Sequence, residues 1–473
     1  MAKDEISRRA LLKRSAVVAA ASTVAPGSVQ AQNAELTRLQ RARRILIKGG
    51  IVLTLDRQLG DFAAADVLIE DGKIRDVRPG ITASAAAVVD AANRIVIPGL
   101  IDTHVHSYQG LLRSTLPNGL VDPDYNRDIQ NSLTPAYAPA DVYAGELITA
   151  LAMIDNGTTT IVDIAQISHS PEHSDACIRG LQNSGIRAVH AYSRGSGPRS
   201  RYPQDIARLR RTYFNSKDQL LTLALATSTE PDTFRAARDA GVQAVLHIRV
   251  NSEPLLLLGR AGLLKPGDEF IHCAHLNEAA WRLIKDTGGR VSHSPPLEMA
   301  MGHGMPAIQD SLDHGIRPSL SSDHSATVAQ DMFFVMRTAF EVQRLFALQR
   351  RSRAEQNAPA LVTCRDVLEF ATIEGARCAG IDSKVGTLGV GKDADIVMLK
   401  YDRLDVWPVN NAYGAVVNMM NPSHVDAVFI AGKVKKWRGS LVGVDTVRAM
   451  RLTAQARTAV MRRAGFTIGL TTA

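Results

Sequence analysis

The chain has 473 residues, of which 45% are apolar, 22% charged and 5% aromatic. These proportions exclude a disordered chain, a collagen-like repeat and a small scaffold held together by disulfides. The length allows about three domains, or one α/β barrel of more than 250 residues beside a smaller domain. The formal charge of +8 and the pI near 9.4 raise the question of a nucleic-acid partner.

Residues 1–31 have the pattern of an export signal. Arg8 and Arg9 precede an apolar stretch from Ala16 to Ala25, as in twin-arginine signals, and Ala31 ends a small-residue cleavage site. The apolar stretch is shorter than the roughly 20 residues that cross a bilayer, so the sequence predicts no membrane span. We therefore expect a periplasmic or secreted bacterial protein.

Part of the basic charge leaves with this signal. The segment carries a net +3, which leaves +5 on the mature chain. No basic stripe interleaved with aromatic residues appears elsewhere, so we expect a small-molecule substrate and no nucleic-acid partner. A homo-oligomer is compatible with the sequence.

The chain has four cysteines, which are Cys177, Cys273, Cys364 and Cys378. None of them forms a CxxC pair, so we do not expect a disulfide framework.

Eight apolar, β-rich runs alternate with helical patterns in the middle of the chain. Near-continuous apolar runs are typical of strands that are covered on both faces. The runs are Ile97–Asp102, Thr158–Ile164, Ile186–Tyr192, Leu220–Ala226, Ala244–Val250, Glu269–Ala274, Arg290–Ser294 and Arg317–Ser322. The helical patterns are Pro139–Asn156, Pro171–Asn183, Pro231–Ala240, Asn277–Thr287 and Thr327–Leu348. Alternating units in this number predict a (β/α)8 TIM barrel, an α/β fold.

The segments that flank the barrel lack helices between their strands. Short strands are predicted at Arg44–Leu55, Ala65–Val77 and Ile95–Ile97, and again after Gly386. We expect the two flanks to combine into one small β-sandwich. The predicted boundaries are 1–31 for the signal, 44–98 and 386–440 for the two halves of the sandwich, 99–385 for the barrel and 441–473 for a C-terminal helix.

One long connection interrupts this regular order. Ser107–Ala138 is polar, contains proline and has no obvious secondary structure. A connection of that length inside a compact barrel is typical of a loop that covers a binding site. We therefore predict that it covers the substrate.

Histidines fall at the ends of the predicted barrel strands, where barrel enzymes carry their catalytic residues. Because side chains alternate along a strand, His104 and His106 should point the same way, into the barrel mouth. Imidazoles together with a carboxylate suit Zn²⁺ and Fe²⁺. The other residues at predicted strand ends are His247, His272, His275, His293 and Asp323.

At these residues the chain resembles the amidohydrolase superfamily, in the branch of cytosine deaminase, the chlorotriazine hydrolases and the methylthioadenosine deaminases. The motif PGLIDTHVH, from Pro98 to His106, is similar to the first-strand motif of that family. The segment GKDADIV, from Gly391 to Val397, is similar to its closing motif. The resemblance covers residues 44 to 440 and implies a metal-dependent barrel hydrolase with a composite β-sandwich.

The resemblance also implies roles for individual residues. The metal ligands would be His104, His106, His247 and Asp323, around one divalent ion for which Zn²⁺ is preferred over Fe²⁺. Metal coordination lowers the pKa of bound water toward about 7, which would provide a hydroxide nucleophile. Asp323 would accept a proton from that water, and His272 would stabilise an oxyanion or shuttle a proton.

One position departs from the deaminases of this branch, whose fifth strand carries His-x-x-Glu. Here the glutamate position is occupied by Val250, which cannot transfer a proton. General acid catalysis contributes about 10² to 10⁴-fold, so another group would have to replace it. Glu253 and His275 are possible substitutes and Arg249 is a possible partner for substrate charge. With His293, before an atypical Ser-Pro-Pro, these residues form the predicted substrate-binding set.

Three hypotheses follow. The first is a metal-dependent hydrolase of a non-peptide C–N bond in an amide, cyclic amide or amino-heterocycle. The second is a deaminase of a purine, pyrimidine or triazine, in which another group replaces the glutamate. The third is a degenerate barrel that binds a ligand without chemistry.

Overall fold

The computed structural model describes residues 26–471, with side chains from residue 34. Most of the predicted export signal, residues 1–25, lies outside the described residues. The chain divides into two units, 1–42 and 43–473. In the first unit, helix α1 spans Pro26–Arg41. The second unit contains the barrel and the strands that flank it.

The second unit begins with five strands that flank the barrel. They are β1 (Arg44–Val52), β2 (Phe62–Glu70), β3 (Lys73–Arg78), β4 (Ala87–Asp90) and β5 (Arg94–Pro98). In β3, only the second and fifth residues are buried, as expected for a strand with one face in water. The strand β4 was not predicted from the sequence.

Eight parallel strands follow and form the barrel. They are β6 (Leu100–Val105), β7 (Thr158–Ala165), β8 (Arg187–Tyr192), β9 (Leu221–Thr227), β10 (Gln243–Ile248), β11 (Glu269–His272), β12 (Arg290–His293) and β13 (Ser319–Leu320). They pair in sequential order from β6 to β13. The last contact, which nearly closes the ring, is a parallel bridge between Val105 and Asp323.

Helices cover the barrel, and the five that the sequence predicts are all present. They are α2 (Pro139–Asp155), α3 (Pro171–Ser184), α4 (Ile206–Tyr213), α5 (Pro231–Ala240), α6 (Glu253–Arg260), α7 (Glu278–Asp286), α8 (Pro295–Ala300), α9 (Ile308–Asp313), α10 (Met332–Ser352), α11 (Cys364–Phe370) and α12 (Ile373–Cys378). Proline at the first turn of α2, α3 and α5 explains their sharp starts, since that position needs no N–H donor. The sequence did not predict the other six, which are α4, α6, α8, α9, α11 and α12.

The last part of the chain returns to the flanking sheet. It contains β14 (Ile396–Lys400), the short helix α13 (Ala412–Gly414), β15 (Val425–Ile430), β16 (Lys433–Trp437), β17 (Ser440–Leu441) and the helix α14 (Thr446–Ala464). The strand β14 pairs antiparallel with β5, so the two flanks form one nine-stranded sheet. The expected α/β barrel with a composite sheet is therefore confirmed. No helix within residues 26–471 is long and apolar enough to cross a membrane.

The connection Ser107–Ala138 is helical, contrary to the predicted loop. It contains a 3₁₀ turn at Ser107–Leu112, a π-helical segment at Val121–Leu133 and a second 3₁₀ turn at Thr134–Ala136. Its apolar side chains, among them Tyr125, Ile129 and Leu133, are buried in a cluster that also contains residues of α2, α3 and the C-terminal helix. Those contacts explain why a segment that reads as polar adopts regular structure.

A buried ion-pair cluster ties the barrel to the sheet at the end opposite the predicted site. The Arg187 guanidinium donates to Asp395 Oδ2 at 2.8 Å and to Asp393 Oδ2 at 2.9 Å. Asp395 Oδ1 also accepts from the Ala431 backbone at 2.7 Å, and Lys73 Nζ donates to Asp393 Oδ1 at 2.8 Å. The two aspartates of the closing motif therefore hold the barrel against the sheet.

Gly99 in the first motif is required by close packing. It is the only residue between β5 and β6. A Cβ at this position would lie 1.9 Å from Thr159 Oγ1, inside any allowed contact. Only glycine lets the chain pass from the sheet into the barrel here.

Candidate metal centre

Four histidines and one aspartate meet at the carboxyl end of the barrel strands. His104 Nε2 lies 3.2 Å from His106 Nε2 and 3.0 Å from His247 Nε2. Asp323 Oδ1 lies 3.6 Å from His104 Nε2 and 3.5 Å from His106 Nε2. Asp323 Oδ2 lies 3.6 Å from His272 Nε2. The structure thus brings together the four predicted ligands and the predicted catalytic histidine.

The donor atoms of these residues form two overlapping groups that could hold a metal ion, namely His104 with His106 and Asp323, and His104 with His247 and His272. Two ligands of a tetrahedral zinc ion, with bonds of 2.0–2.1 Å, are about 3.3 Å apart, close to the distances observed here. Asp323 Oδ1 is buried and has no hydrogen-bond partner among the described residues. His106 Nδ1 lies 3.0 Å from the Ile164 carbonyl oxygen, to which it can donate, so the lone pair is left on Nε2.

Burial keeps the imidazoles neutral, as metal ligands must be. It lowers the pKa of His106 to about 4 and that of His104 and His247 well below the usual range, and neighbouring imidazoles lower the latter two further. Burial also raises the pKa of Asp323 well above its usual range, with Glu298 and Asp102 adding to the effect. Imidazole nitrogens beside a carboxyl group are the ligand types that a divalent cation such as Zn²⁺ binds.

The backbone is strained where it presents two of these side chains. His272 has a φ of 71° and Asp323 has a φ of 63°, both in the left-handed region that residues other than glycine rarely adopt. Such residues cost about 1–3 kcal/mol each and persist where the surroundings hold them. For Asp323 the surroundings are the first strand, because its N–H donates to the His104 carbonyl at 2.8 Å and its carbonyl accepts from His106 N–H at 3.1 Å.

A second layer of contacts orients His272. Its Nδ1 lies 3.0 Å from Glu298 Oε1, which also accepts from the Ser294 backbone N–H at 2.9 Å. Burial raises the pKa of Glu298 to about 7, so the pair can hold an additional proton near neutral pH. His293 Nδ1 lies 3.0 Å from the His272 carbonyl oxygen, and its Nε2 lies 2.8 Å from Ser311 Oγ.

A cavity of about 220 Å³ opens above the cluster. Its polar wall includes Arg249 and His303, while Val121 and Leu297 provide apolar surface. The remaining lining residues are His106, Tyr125, Asn126, Gln130, Gln166, His247, His272, Asp323 and His324. Gln166 also lines a neighbouring cavity of about 920 Å³ between the ends of β8 and β9. There is thus room for a substrate that extends beyond the reacting atoms.

The covering segment supplies one side of this cavity. The Tyr125 ring stacks on His324 with centroids 4.5 Å apart and planes 13° apart. The Tyr125 hydroxyl lies 2.7 Å from Gln109 Nε2 and 3.0 Å from Gln130 Nε2. The helical segment within Ser107–Ala138 therefore lies beside the cavity, on the side where the sequence predicted a covering loop.

Of the predicted substrate-binding residues, only Arg249 lines the cavity. Val250 is 69% exposed, and Glu253 begins α6 with its carboxylate paired to Arg260 at the surface. The chain leaves the barrel after β10, which carries Glu253 outward. His275 Nε2 lies 3.0 Å from the His303 carbonyl oxygen, and His293 is enclosed beneath His272. Glu253, His275 and His293 thus lie outside the cavity lining.

Sequence reasoning missed three residues that shape the site. Glu298 follows the Ser-Pro-Pro turn, and the sequence marks no partner for it. His303 lines the cavity between two glycines with positive φ, and its ring lies 4.6 Å from that of His272. Tyr125 lies in the segment that was predicted as a loop. For His303, the nearby glycines Gly302 and Gly304 were the available signal of a tight turn.

The comparison with protein families identifies the chain. The model of the amidohydrolase family matches residues 95–435, which include the whole barrel and the strands β14 and β15 of the flanking sheet. The chain belongs to the amidohydrolase family. This amidohydrolase has its histidine and aspartate cluster within the matched region.

Curated relatives of similar length are deaminases. The chain is 27% identical over 419 residues to 5'-deoxyadenosine deaminase of Methanosarcina mazei, which covers 82% of this chain and 92% of the relative. It is 26% identical over 428 residues to 5-methylthioadenosine/S-adenosylhomocysteine deaminase of Acetivibrio thermocellus, and the match covers 85% of this chain and 96% of the relative.

Solved structures confirm the fold. An adenosine deaminase from Xanthomonas campestris with bound zinc superposes with a TM-score of 0.78 at 21% identity, covering 88% of this chain and 98% of the other. Atrazine chlorohydrolase from Arthrobacter aurescens, complexed with zinc, superposes with a TM-score of 0.77 at 22% identity, and the match covers 87% of this chain and 100% of the other. This amidohydrolase is a metal-dependent hydrolase of a non-peptide C–N bond, with a small molecule as substrate, and not a binding barrel.

Proposed function

We propose that this amidohydrolase is a zinc enzyme that hydrolyses the C–N bond of an amide or cyclic amide. The observation that carries this choice is that Asp323 is the only carboxylate among the described side chains that line the cavity. Hydrolysis of an amide moves one proton from the attacking water to the departing nitrogen, which one carboxylate can do. Deamination of a heterocycle also protonates a ring nitrogen, and the position for that acid holds the exposed Val250.

His104, His106, His247 and Asp323 would hold the ion. When bound, a divalent cation supplies Lewis acidity and lowers the pKa of a coordinated water. Preference for zinc over iron rests on the imidazole-rich donor set and on the zinc in the similar solved structures.

The side chains divide the remaining work. Asp323 takes a proton from the attacking water and passes it to the nitrogen as the C–N bond breaks, which yields a carboxylic acid and an amine. His272 carries a proton on Nε2 when the His272–Glu298 pair is protonated, and it then donates to the oxygen that becomes negative at the reacting carbon. Tyr125 and His324 limit the access of bulk water.

Deamination is the second candidate, and the curated relatives favour it. It needs a proton donor other than residue 250. His303 and Tyr125 line the cavity and carry groups that could donate.

One experiment separates the two candidates. The purified protein is analysed for metal and then assayed against amides, cyclic amides, purines, pyrimidines and triazines, with detection of amine and of ammonia. We expect about one zinc per chain and turnover of amides without release of ammonia from the heterocycles. Iron in place of zinc would contradict the metal assignment, and ammonia release from a heterocycle would favour deamination.

We also propose that the protein is exported by the twin-arginine route, on the basis of residues 1–31. In a bacterial host the wild-type chain should reach the periplasm in mature form. Substitution of Arg8 and Arg9 by lysine should hold it in the cytoplasm as a precursor. Unchanged fractionation of that double variant would contradict the proposal.

A further inference from the structure

We propose that Arg249 binds a carboxylate of the substrate, so that the enzyme acts on anionic amides in preference to neutral ones. The inference rests on the proposed function, because it names the substrate class of the same site. It distinguishes this chain from relatives named for adenosine derivatives.

Arg249 has donors to spare. A guanidinium carries five N–H donors in a planar fork. Among the described residues, the structure gives Arg249 no hydrogen bond and one ion pair, with Asp122 Oδ2 at 3.9 Å. Asp122 belongs to the covering segment and is 66% exposed, and its other oxygen, Oδ1, accepts from the Asn126 amide. Arg249 therefore lines the cavity with N–H groups that can donate to an external acceptor.

Its position is set by the strand that carries His247. Arg249 follows directly after β10, which ends at Ile248, and both His247 and Arg249 line the cavity. A planar carboxylate is the ligand that matches the fork with two parallel hydrogen bonds. The substrate carboxylate would therefore lie next to the reacting C–N bond.

The charges of the cavity favour an anion. The lining contains one guanidinium, that of Arg249, and one carboxyl group, that of Asp323. A divalent cation held by the histidines and Asp323 would add positive charge beside Arg249, and a substrate carboxylate would compensate part of that charge.

The test uses matched pairs that differ by one carboxylate. Suitable pairs are dihydroorotate with dihydrouracil, pyroglutamate with 2-pyrrolidinone, and 4-acetamidobenzoate with acetanilide. The zinc-loaded wild-type protein is compared with Arg249→Gln and Arg249→Lys, and Arg260→Gln serves as a control. Arg260 is a nearby surface arginine, paired with Glu253 and 59% exposed, whose loss changes the net charge equally. Both kcat/KM and the shift of Tm on ligand addition are measured.

We expect the wild-type protein to prefer the carboxylated member of a pair by at least about 30-fold. Arg249→Gln should lose that preference while the neutral member changes by less than about threefold, and Arg249→Lys should restore part of it. Arg260→Gln should retain the preference. A wild-type protein without the preference, or an Arg249→Gln variant that keeps it or loses both members equally, would overturn the inference.

Failure of the proposed function is distinguishable from failure of this inference. If no amide of any pair is hydrolysed, the amide assignment fails, and the Tm shift then decides the inference. A shift caused by the carboxylated member and abolished in Arg249→Gln supports it. A shift that is absent, or equal for both members or for both proteins, refutes it.

Discussion

The two ends of the barrel treat buried polar groups in opposite ways. At the sheet end, the buried Arg187 pairs with the buried Asp395 and the half-buried Asp393. At the other end, Asp323 Oδ1 and His104 Nδ1 are buried without a partner among the described residues, and His272 and Asp323 have strained backbone. The end next to the sheet therefore stabilises the fold, while the carboxyl end of the strands presents unpaired groups that can bind a ligand, as in other barrel enzymes.

The largest expected effect is on activity at the strained end. Asp323→Asn keeps the shape of the side chain but removes the carboxylate that accepts the proton and that would bind the metal ion. We expect kcat/KM to fall by about 10² to 10⁴-fold, the range for loss of general acid–base catalysis. The measurement is steady-state kinetics with parallel metal analysis and melting. A variant with full activity would refute the assignment of catalysis to the end of the barrel that contains Asp323.

The next effect is on stability at the paired end. Asp395→Ala leaves the guanidinium of Arg187, which is 4% exposed, with Asp393 alone. We expect the free energy of unfolding to drop by about 3–5 kcal/mol, as for other broken buried pairs. Denaturant titration tests this. The exposed pair of Lys73 and Asp393 provides the control, since Lys73→Ala should cost no more than about 1 kcal/mol.

A smaller effect is expected where the second layer supports the site. Glu298→Gln keeps a hydrogen-bond partner for His272 Nδ1 but cannot share its proton. We expect kcat/KM to fall by about 10 to 100-fold, typical of the loss of an outer-shell partner, with metal content retained. If Tm falls in step with activity, Glu298 supports the fold and not the orientation of His272.

The smallest effect concerns Glu146, a buried carboxylate on α2 whose two oxygens have no hydrogen-bond partner among the described residues. Burial raises its pKa well above the usual 4.5, so its protonated form is favoured in the folded chain. The stability linked to this proton is complete below pH 4.5 and is lost as the pH rises toward the folded pKa. Glu146→Gln should therefore stabilise the protein at pH 8, by about 1 kcal/mol, but hardly at pH 4.5. Equal melting differences at both pH values would contradict this.

Much of the fold could be predicted because the barrel strands carry a strong local pattern. The predicted runs overlap all eight barrel strands, and prolines mark the starts of α2, α3 and α5. The prediction failed for Ser107–Ala138, since its apolar side chains pack on elements distant in sequence. It also failed to detect α6, whose first residue is Glu253, so that a carboxylate three residues past Val250 appeared available to the site.

The alternation of strands and helices and the placement of histidines and an aspartate at strand ends could be predicted from period and spacing, which are local properties of the chain. The resemblance to the amidohydrolases rests on the motifs PGLIDTHVH and GKDADIV. The contact of Glu298 with His272, and the positions of His303, Tyr125 and Arg249 in the cavity lining, became visible only in the folded chain. Such contacts join residues distant in sequence, and no periodicity encodes which of them meet.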